Sequence, residues 1–295
     1  MKPRSARNGA PCDREHGGFA EFLHSLLAGI PWSDRAESQE IVHFAAPRSG
    51  LLHIENANGK TRVIGEDRAD IEVRLQKIAR AESETAARAL AEATHLTASE
   101  TDVSLDLEVA IPRKWNRRGV INMELRVPRG VRIDVTASNG KVCIASLCAS
   151  VKARSSNGAV SVENIEGDVE IQSSNAKVRC ACVKGRLVAR TSNGKIEVSR
   201  HCGAIDAATS NGVIDAELSE VSGPVVLATS NGRIALSLPD AVDADVDVRV
   251  DNGIIRSQRS LSRCTHSTGG RLAGALGLGG VLIKLRTSNG SVSVR

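Results

Sequence analysis

The chain has 295 residues, 41% of them apolar and 25% charged, a folding composition with room for one large domain or two small ones. Three Phe, two Trp and no Tyr leave the core to Val, Ile, Leu and Ala. That suits narrow β-branched packing and counts against functions built on ring platforms, such as sugar or single-strand base stacking. A formal net charge of +5, from 39 Lys plus Arg against 34 Asp plus Glu, is too mild for a dedicated nucleic-acid binder, so no specific nucleic-acid partner is expected.

Residues 1–48 read as a polar N-terminal segment with a short amphipathic helix, because Phe19, Phe22, Leu23, Leu26, Leu27 and Ile30 recur at helical spacing. Glu21 and His24 interrupt this stretch, which is too short and polar to span a bilayer and lies late for a signal sequence. With neither a signal peptide nor a transmembrane segment recognised, a cytoplasmic location is expected, with envelope association as the alternative. Cys12 and His16 have no second ligand pair at zinc spacing, so no metal site is expected there. The seven Cys (12, 143, 148, 180, 182, 202 and 264) form no CxxC pair and fit reduced thiols; Cys180-Ala-Cys182 predicts two thiols on one strand face.

Residues 49–295 read as one β-solenoid domain. Divergent coils and a helix are expected over 49–135, regular coils over 136–256, a Gly-rich insertion over 257–280 and final strands over 281–295. Residues 51–77 resemble an early coil with Asn58-Gly59 at its turn. Residues 79–96, rich in Ala, Glu and Arg with Ser83 or Thr85 as N-cap, predict the inserted helix. Strand alternation resumes at Val103, Leu105, Leu107 and Val109, at Leu125 and Val127, and at Val131, Ile133 and Val135. Between them a basic cluster, Arg113-Lys114-Trp115-Asn116-Arg117-Arg118, reads as an exposed strand connection or a contact for phosphate or a membrane surface.

The decisive feature is a repeat. Ser-Asn-Gly or a close variant recurs with its Asn at Asn139, Asn157, Asn175, Asn193, Asn211, Asn231, Asn252 and Asn289, the first four intervals being 18 residues each. Three residues after the Asn come Val142, Val160, Val178, Ile196, Ile214 and Ile234, and five after it Ile144, Val162, Cys180, Val198, Ala216 and Leu236. Each copy is therefore two short alternating strands. Like residues at like phase predict a parallel solenoid, with aliphatic ladders inside and Asn at a stacked turn, rather than a stack of hairpins. The fold class expected is all-β: a single-stranded parallel β-helix of about eight coils with one inserted α-helix. Asn-Gly suits the turn because both residues tolerate positive φ and the Asn amide can bond its equivalents above and below. The same array is read as scaffold, with a recognition surface as the alternative.

Two residues after the Asn lie Lys141, Lys177, Lys195 and Arg233; three before it lie Arg154, Arg190, Arg249 and Arg286. On a solenoid these flank one edge and form a candidate anion-binding ridge, or else a solvated edge that blocks sheet aggregation. The outward acids Asp168, Glu170, Asp206 and Asp215 are scattered rather than paired, and His201 falls in phase with the apolar Ile165 and Val183. No catalytic residue is therefore assigned and no enzyme is expected, although a polysaccharide-active enzyme is the minor alternative. The glycines of 257–280 lack the strand–GxGxxG–helix setting of a phosphate site, and no cofactor is expected. Val294-Arg295 ends within a strand pattern, so either the Gly-rich segment folds over that end or the end pairs with another molecule, giving a self-assembling protein.

The run VPRGVRIDVTASNGKVCI, the serial SSNG and TSNG turns and the ending GALGLGGVLIKLRTSNGSVSV resemble the bacterial putative-adhesin family of β-strand-repeat proteins, over about residues 50–295. The resemblance implies a single-stranded parallel β-helix and an envelope or adhesion-associated role, with no catalytic motif to transfer. The expected role is a non-catalytic scaffold whose partner is a protein or an anionic polymer or surface.

Overall fold

A computed structural model describes residues 34–110, 119–266 and 270–295. The expected helix around residues 19–30, Cys12 with His16, and the basic cluster 113–118 lie outside these residues.

The described chain is all-β apart from one helix. It opens with β1 (Asp34–Ala45), β2 (Leu51–Asn58), β3 (Thr61–Glu66) and β4 (Asp70–Ala81), then α1 (Glu84–Ala93). β5 (His95–Glu100), β6 (Leu105–Ala110), β7 (Gly119–Pro128), β8 (Arg132–Asn139) and β9 (Val142–Leu147) lead into the regular coils. Those comprise β10 (Val151–Ser155), β11 (Val160–Glu166), β12 (Val169–Ser173), β13 (Val178–Lys184), β14 (Leu187–Asn193), β15 (Ile196–Cys202), β16 (Ile205–Asn211) and β17 (Ile214–Glu220). The long β18 (Val225–Ser237) and β19 (Ala244–Ser257) follow, then β20 (Ser262–His266), β21 (Arg271–Leu276) and β22 (Val281–Val294).

Pairing is parallel through the coils and sets equivalent residues side by side: Val151 with Val169, Val169 with Leu187, Leu187 with Ile205, and Asn193 with Asn211. Two walls result. The first runs β5-β6-β2-β8-β10-β12-β14-β16-β18-β22-β19-β21-β20, and the second β1-β4-β7-β3-β9-β11-β13-β15-β17-β18-β22-β19. β18, β19 and β22 bend across the corner and belong to both. Between the walls the ladder Val142, Val160, Val178, Ile196, Ile214, Ile234 and Val292 is at most 1% exposed. Such a slot is filled by branched aliphatics from both sides, with little width for rings.

The inserted helix is shorter than expected. Ala79 and Ala81 are buried in β4, Ser83 accepts a bond from the Ala86 amide at 3.2 Å as N-cap, and the helix ends by Ala93. Its buried residues are Ala87, Leu90 and Ala91, and it packs on β1 and β4, so tertiary burial claims the first alanines for the strand. Cys180 and Cys182 do not share a face. Cys180 is buried, whereas Cys182 has φ +52 and lies in a row of left-handed residues with Ser146, Asn164 and Arg200. That one residue per coil breaks the two-residue alternation and returns Leu147, Ile165, Val183 and His201 to the core.

Chain order and spatial order part at both ends. β2 lies between β6 and β8, and β3 between β7 and β9. β22 lies between β18 and β19 from Ile283 to Val294. The final strand therefore leaves no open end at Val294: it is paired on both sides, and the Gly-rich segment supplies β21 and β20, antiparallel on β19. Among the described residues no helix is long and apolar enough to cross a membrane.

Candidate functional site

The corner where the first wall turns into the second carries the repeated Ser-Asn-Gly. The Asn amides form one hydrogen-bonded file: Nδ2 of Asn139 donates to Oδ1 of Asn58, and the relay continues through Asn157, Asn175, Asn193, Asn211, Asn231, Asn289 and Asn252 at 2.9–3.2 Å. Every amide points the same way, and aligned bonds of this kind polarise one another. Main-chain bonds reinforce the stack, from Asn157 N to Ser138 O at 2.9 Å and from Asn193 N to Ser174 O at 2.8 Å.

Positive φ is not what selects Asn here. Among the described non-glycine residues it occurs at Ser146, Asn164, Cys182, Arg200 and Arg263, none of them in the file. The following Gly takes positive φ at Gly59, Gly253 and Gly290, but in the regular coils it is required for a different reason. A Cβ on Gly158 would lie 1.7 Å from the Gly140 carbonyl oxygen, and one on Gly212 2.0 Å from that of Gly194. Successive turns touch backbone to backbone.

A second ladder, not anticipated from the sequence, runs inside the first. Two residues before the Asn, the buried hydroxyls of Thr209, Thr229 and Thr287 donate at 3.3 Å to the carbonyls of Gly194, Gly212 and Gly232, one coil back. Its signal is in the repeat: Ser155, Ser173, Thr191, Thr209, Thr229 and Thr287 occupy that phase.

The eight cations flanking the turn divide unequally. Arg154 meets Asp134 at 3.4 Å, Arg190 meets Asp206, and Arg249 meets Asp247 at 3.3 Å. Lys177 and Lys195 both reach Glu197 at 2.7 Å, Arg179 joins them at 3.1 Å, and Lys195 also approaches Asp215 at 3.7 Å. Hydrogen bonds from Lys177 and Lys195 hold the Glu197 carboxyl down at about 2. Lys141, Arg233 and Arg286 have no carboxylate partner among the described residues. Arg286 pairs in register with Arg249, so two cations sit side by side near the last coils while Lys141 stands several coils away.

The acids considered as catalytic are likewise engaged. Asp168 accepts from the Arg186 amide at 3.0 Å and Glu170 meets Lys152 at 3.3 Å, while Asp206 and Asp215 are held as above. His201 is fully buried, its Nε2 3.1 Å from the Ala204 carbonyl and its Nδ1 without a partner; burial lowers its pKa. Burial pushes the Cys180 thiol up to about 12, so it stays protonated within the core.

The Toastrack DUF4097 family matches residues 50–295 of the chain. No curated protein matches it. Solved structures similar to it include a putative adhesin from Parabacteroides merdae ATCC 43184, with 10% identity over 89% of this chain and 97% of that one and a TM-score of 0.48. A putative adhesin from Bacteroides fragilis NCTC 9343 has 13% identity over 87% and 96%, with a TM-score of 0.41. A putative lipid binding protein from Parabacteroides distasonis ATCC 8503 has 10% identity over 90% and 98%, with a TM-score of 0.40.

Proposed function

The chain belongs to the Toastrack DUF4097 family, and from that premise we propose that it is a non-catalytic β-solenoid scaffold that binds a macromolecular partner along its outer turn edge. The observation that carries this reading is the file of stacked turns, exposed along the corner and hydrogen-bonded from Asn58 to Asn252. Such an edge offers the same polar groups in each coil, about 4.8 Å apart, and suits a ligand that is itself long and regular. A non-catalytic role is supported by the state of the titratable groups. The outward acids are held by main-chain amides or by bases, and the buried histidine faces aliphatic neighbours.

The partner class favoured is an anionic polymer or surface, engaged by Lys141, Arg233 and Arg286, whose charges no carboxylate among the described residues offsets. Of the other five, Arg154, Lys177, Arg190 and Lys195 act as cross-coil ties, and Arg249 is paired within its own strand. Retention on heparin and on vesicles containing anionic lipid tests this. The unmodified chain is expected to be retained at low salt and released as salt rises, and the triple variant Lys141→Glu, Arg233→Glu, Arg286→Glu to lose retention. Equal retention of the two proteins removes the anionic partner from the proposal. Turnover of any polysaccharide by the chain removes the non-catalytic one.

A further inference from the structure

Among the described residues four strand edges lack a neighbour: β5 and β20 on the first wall, β1 and the outer half of β19 on the second. Three of them carry features that resist pairing with another chain. β1 surrounds its exposed Ile41 with Glu37, Glu40 and His43. β5 exposes small or polar residues, Thr97, Ala98, Ser99 and Glu100. β20 loses register on β21 and contains Arg263 at positive φ.

Residues 251–257 of β19 are different. They continue the parallel coil in regular register on β22, from Asn252 opposite Asn289 to Ser257 opposite Val294. β21 and Gly270 cover β19 only as far as Val250, and beyond it the strand is exposed apart from the half-buried Ile255, with the uncharged run Asn252-Gly253-Ile254-Ile255 at its centre. Ile254 is 57% exposed and points outward, in line with Ser291 and Arg233 of the neighbouring strands. The Asn file also stops here. Asn252 donates to Asn289, and no described residue donates to its own Oδ1. The whole run of polarised amides therefore ends on an acceptor at an open strand edge.

We propose that the outer half of β19 pairs with the same strand of a second copy, antiparallel and about a twofold axis at Ile254. Head-to-tail stacking is disfavoured because the opposite end offers no complementary parallel edge: β1, β4 and β7 close the second wall there in antiparallel order, and β5 and β6 close the first. One self-complementary edge per chain gives a closed dimer rather than a filament. A register centred on one residue keeps the main-chain donors and acceptors of both strands in step. It sets Ile254 against Ile254 of the second copy and places Asn252 across from Arg256 of the second copy, so each guanidinium supplies the donor that the terminal Oδ1 lacks. The paired strand contains none of Lys141, Arg233 and Arg286, and Ile254→Lys leaves all three in place, so the dimer stands or falls on mass and the anionic partner on retention.

The test is sedimentation equilibrium of the full chain over a wide concentration range, alongside Ile254→Lys and Ile254→Cys. The unmodified chain is expected to pass from its 31.1 kDa monomer to twice that mass and no further. Ile254→Lys is expected to remain monomeric with an unchanged circular dichroism spectrum. Ile254→Cys is expected to yield, under mild oxidation, a covalent dimer whose bridged peptide maps 254 to 254. An unmodified chain that is monomeric throughout overturns the proposal, as does growth beyond a dimer. A dimer that Ile254→Lys leaves intact and that shows no 254-to-254 bridge also overturns it.

Discussion

At the scale of single residues, His201 is the clearest departure from the repeat. It occupies the inward position that Leu147, Ile165, Val183 and Leu218 fill in other coils, is fully buried, and leaves Nδ1 unpaired. A buried polar atom without a partner costs about 1–3 kcal/mol, partly offset here by the Nε2 contact to Ala204. Burial lowers the folded pKa below the ordinary 6.5, so the unfolded chain takes up the proton first. Stability from this site is therefore complete above 6.5 and declines as pH falls toward the folded value. His201→Leu is expected to raise stability at neutral pH by about 1 kcal/mol and to flatten the fall in melting temperature below about pH 6.5, both measurable by thermal unfolding over a pH series. The inward placement was legible from phase alone, since Ile165 and Val183 mark the position as apolar. The orphan nitrogen was not, because it depends on which carbonyls the left-handed corner brings near.

At the scale of the element, the Ser-Asn-Gly turn is shaped by its neighbours more than by its own dihedral needs. Gly130, in the turn before β8, has nothing within 4 Å of where a Cβ would project, whereas a Cβ on Gly212 would lie 2.0 Å from the Gly194 carbonyl oxygen. Gly212→Ala is accordingly expected to cost about 2 kcal/mol or more, and Gly130→Ala to stay within about 0.5 kcal/mol, in matched denaturant titrations. Equal costs would return the glycine to a purely local role. Strand positions at Asn+3 and Asn+5 could be read from hydrophobic phase. The bulge at Ser146, Asn164, Cys182 and Arg200 could not: four unlike side chains share one backbone conformation, so only the fold defines the class. The Thr ladder lay between these cases, with its phase visible in the repeat and its acceptors set by coil-on-coil contact.

At the scale of the whole molecule, strand order is the informative feature. β22 inserts between β18 and β19, as β2 and β3 insert between later strands at the other end, so the last strand is an inner one and the second strand lies deep in the first wall. Hydrogen exchange should therefore find the amides of Ile283, Leu285 and Val292, buried and paired on both sides, among the slowest. Within residues 251–257 the amides that face away from β22 should exchange quickly in dilute monomer and slow at concentrations where the dimer forms. Uniformly fast exchange across β22 would contradict the inserted order. Folding back at both ends shields most of the parallel edge, which a simple coil would leave bare.

The amino-acid sequence by itself determined the class of the molecule: a period of 18 residues, aliphatics at two fixed phases and a stacked Asn turn are compatible with a parallel solenoid and with little else. It also determined which residues line the core, because burial in a two-walled coil follows strand phase. Three things were decided only by tertiary structure. Acids one coil away neutralise half of the basic edge, since partners 16–20 residues apart become neighbours only after stacking. In the regular coils, close approach of turns rather than positive φ sets the glycine requirement. The open edge lies on β19 rather than at the chain's last strand, because strand insertion depends on long-range pairing that no local pattern records.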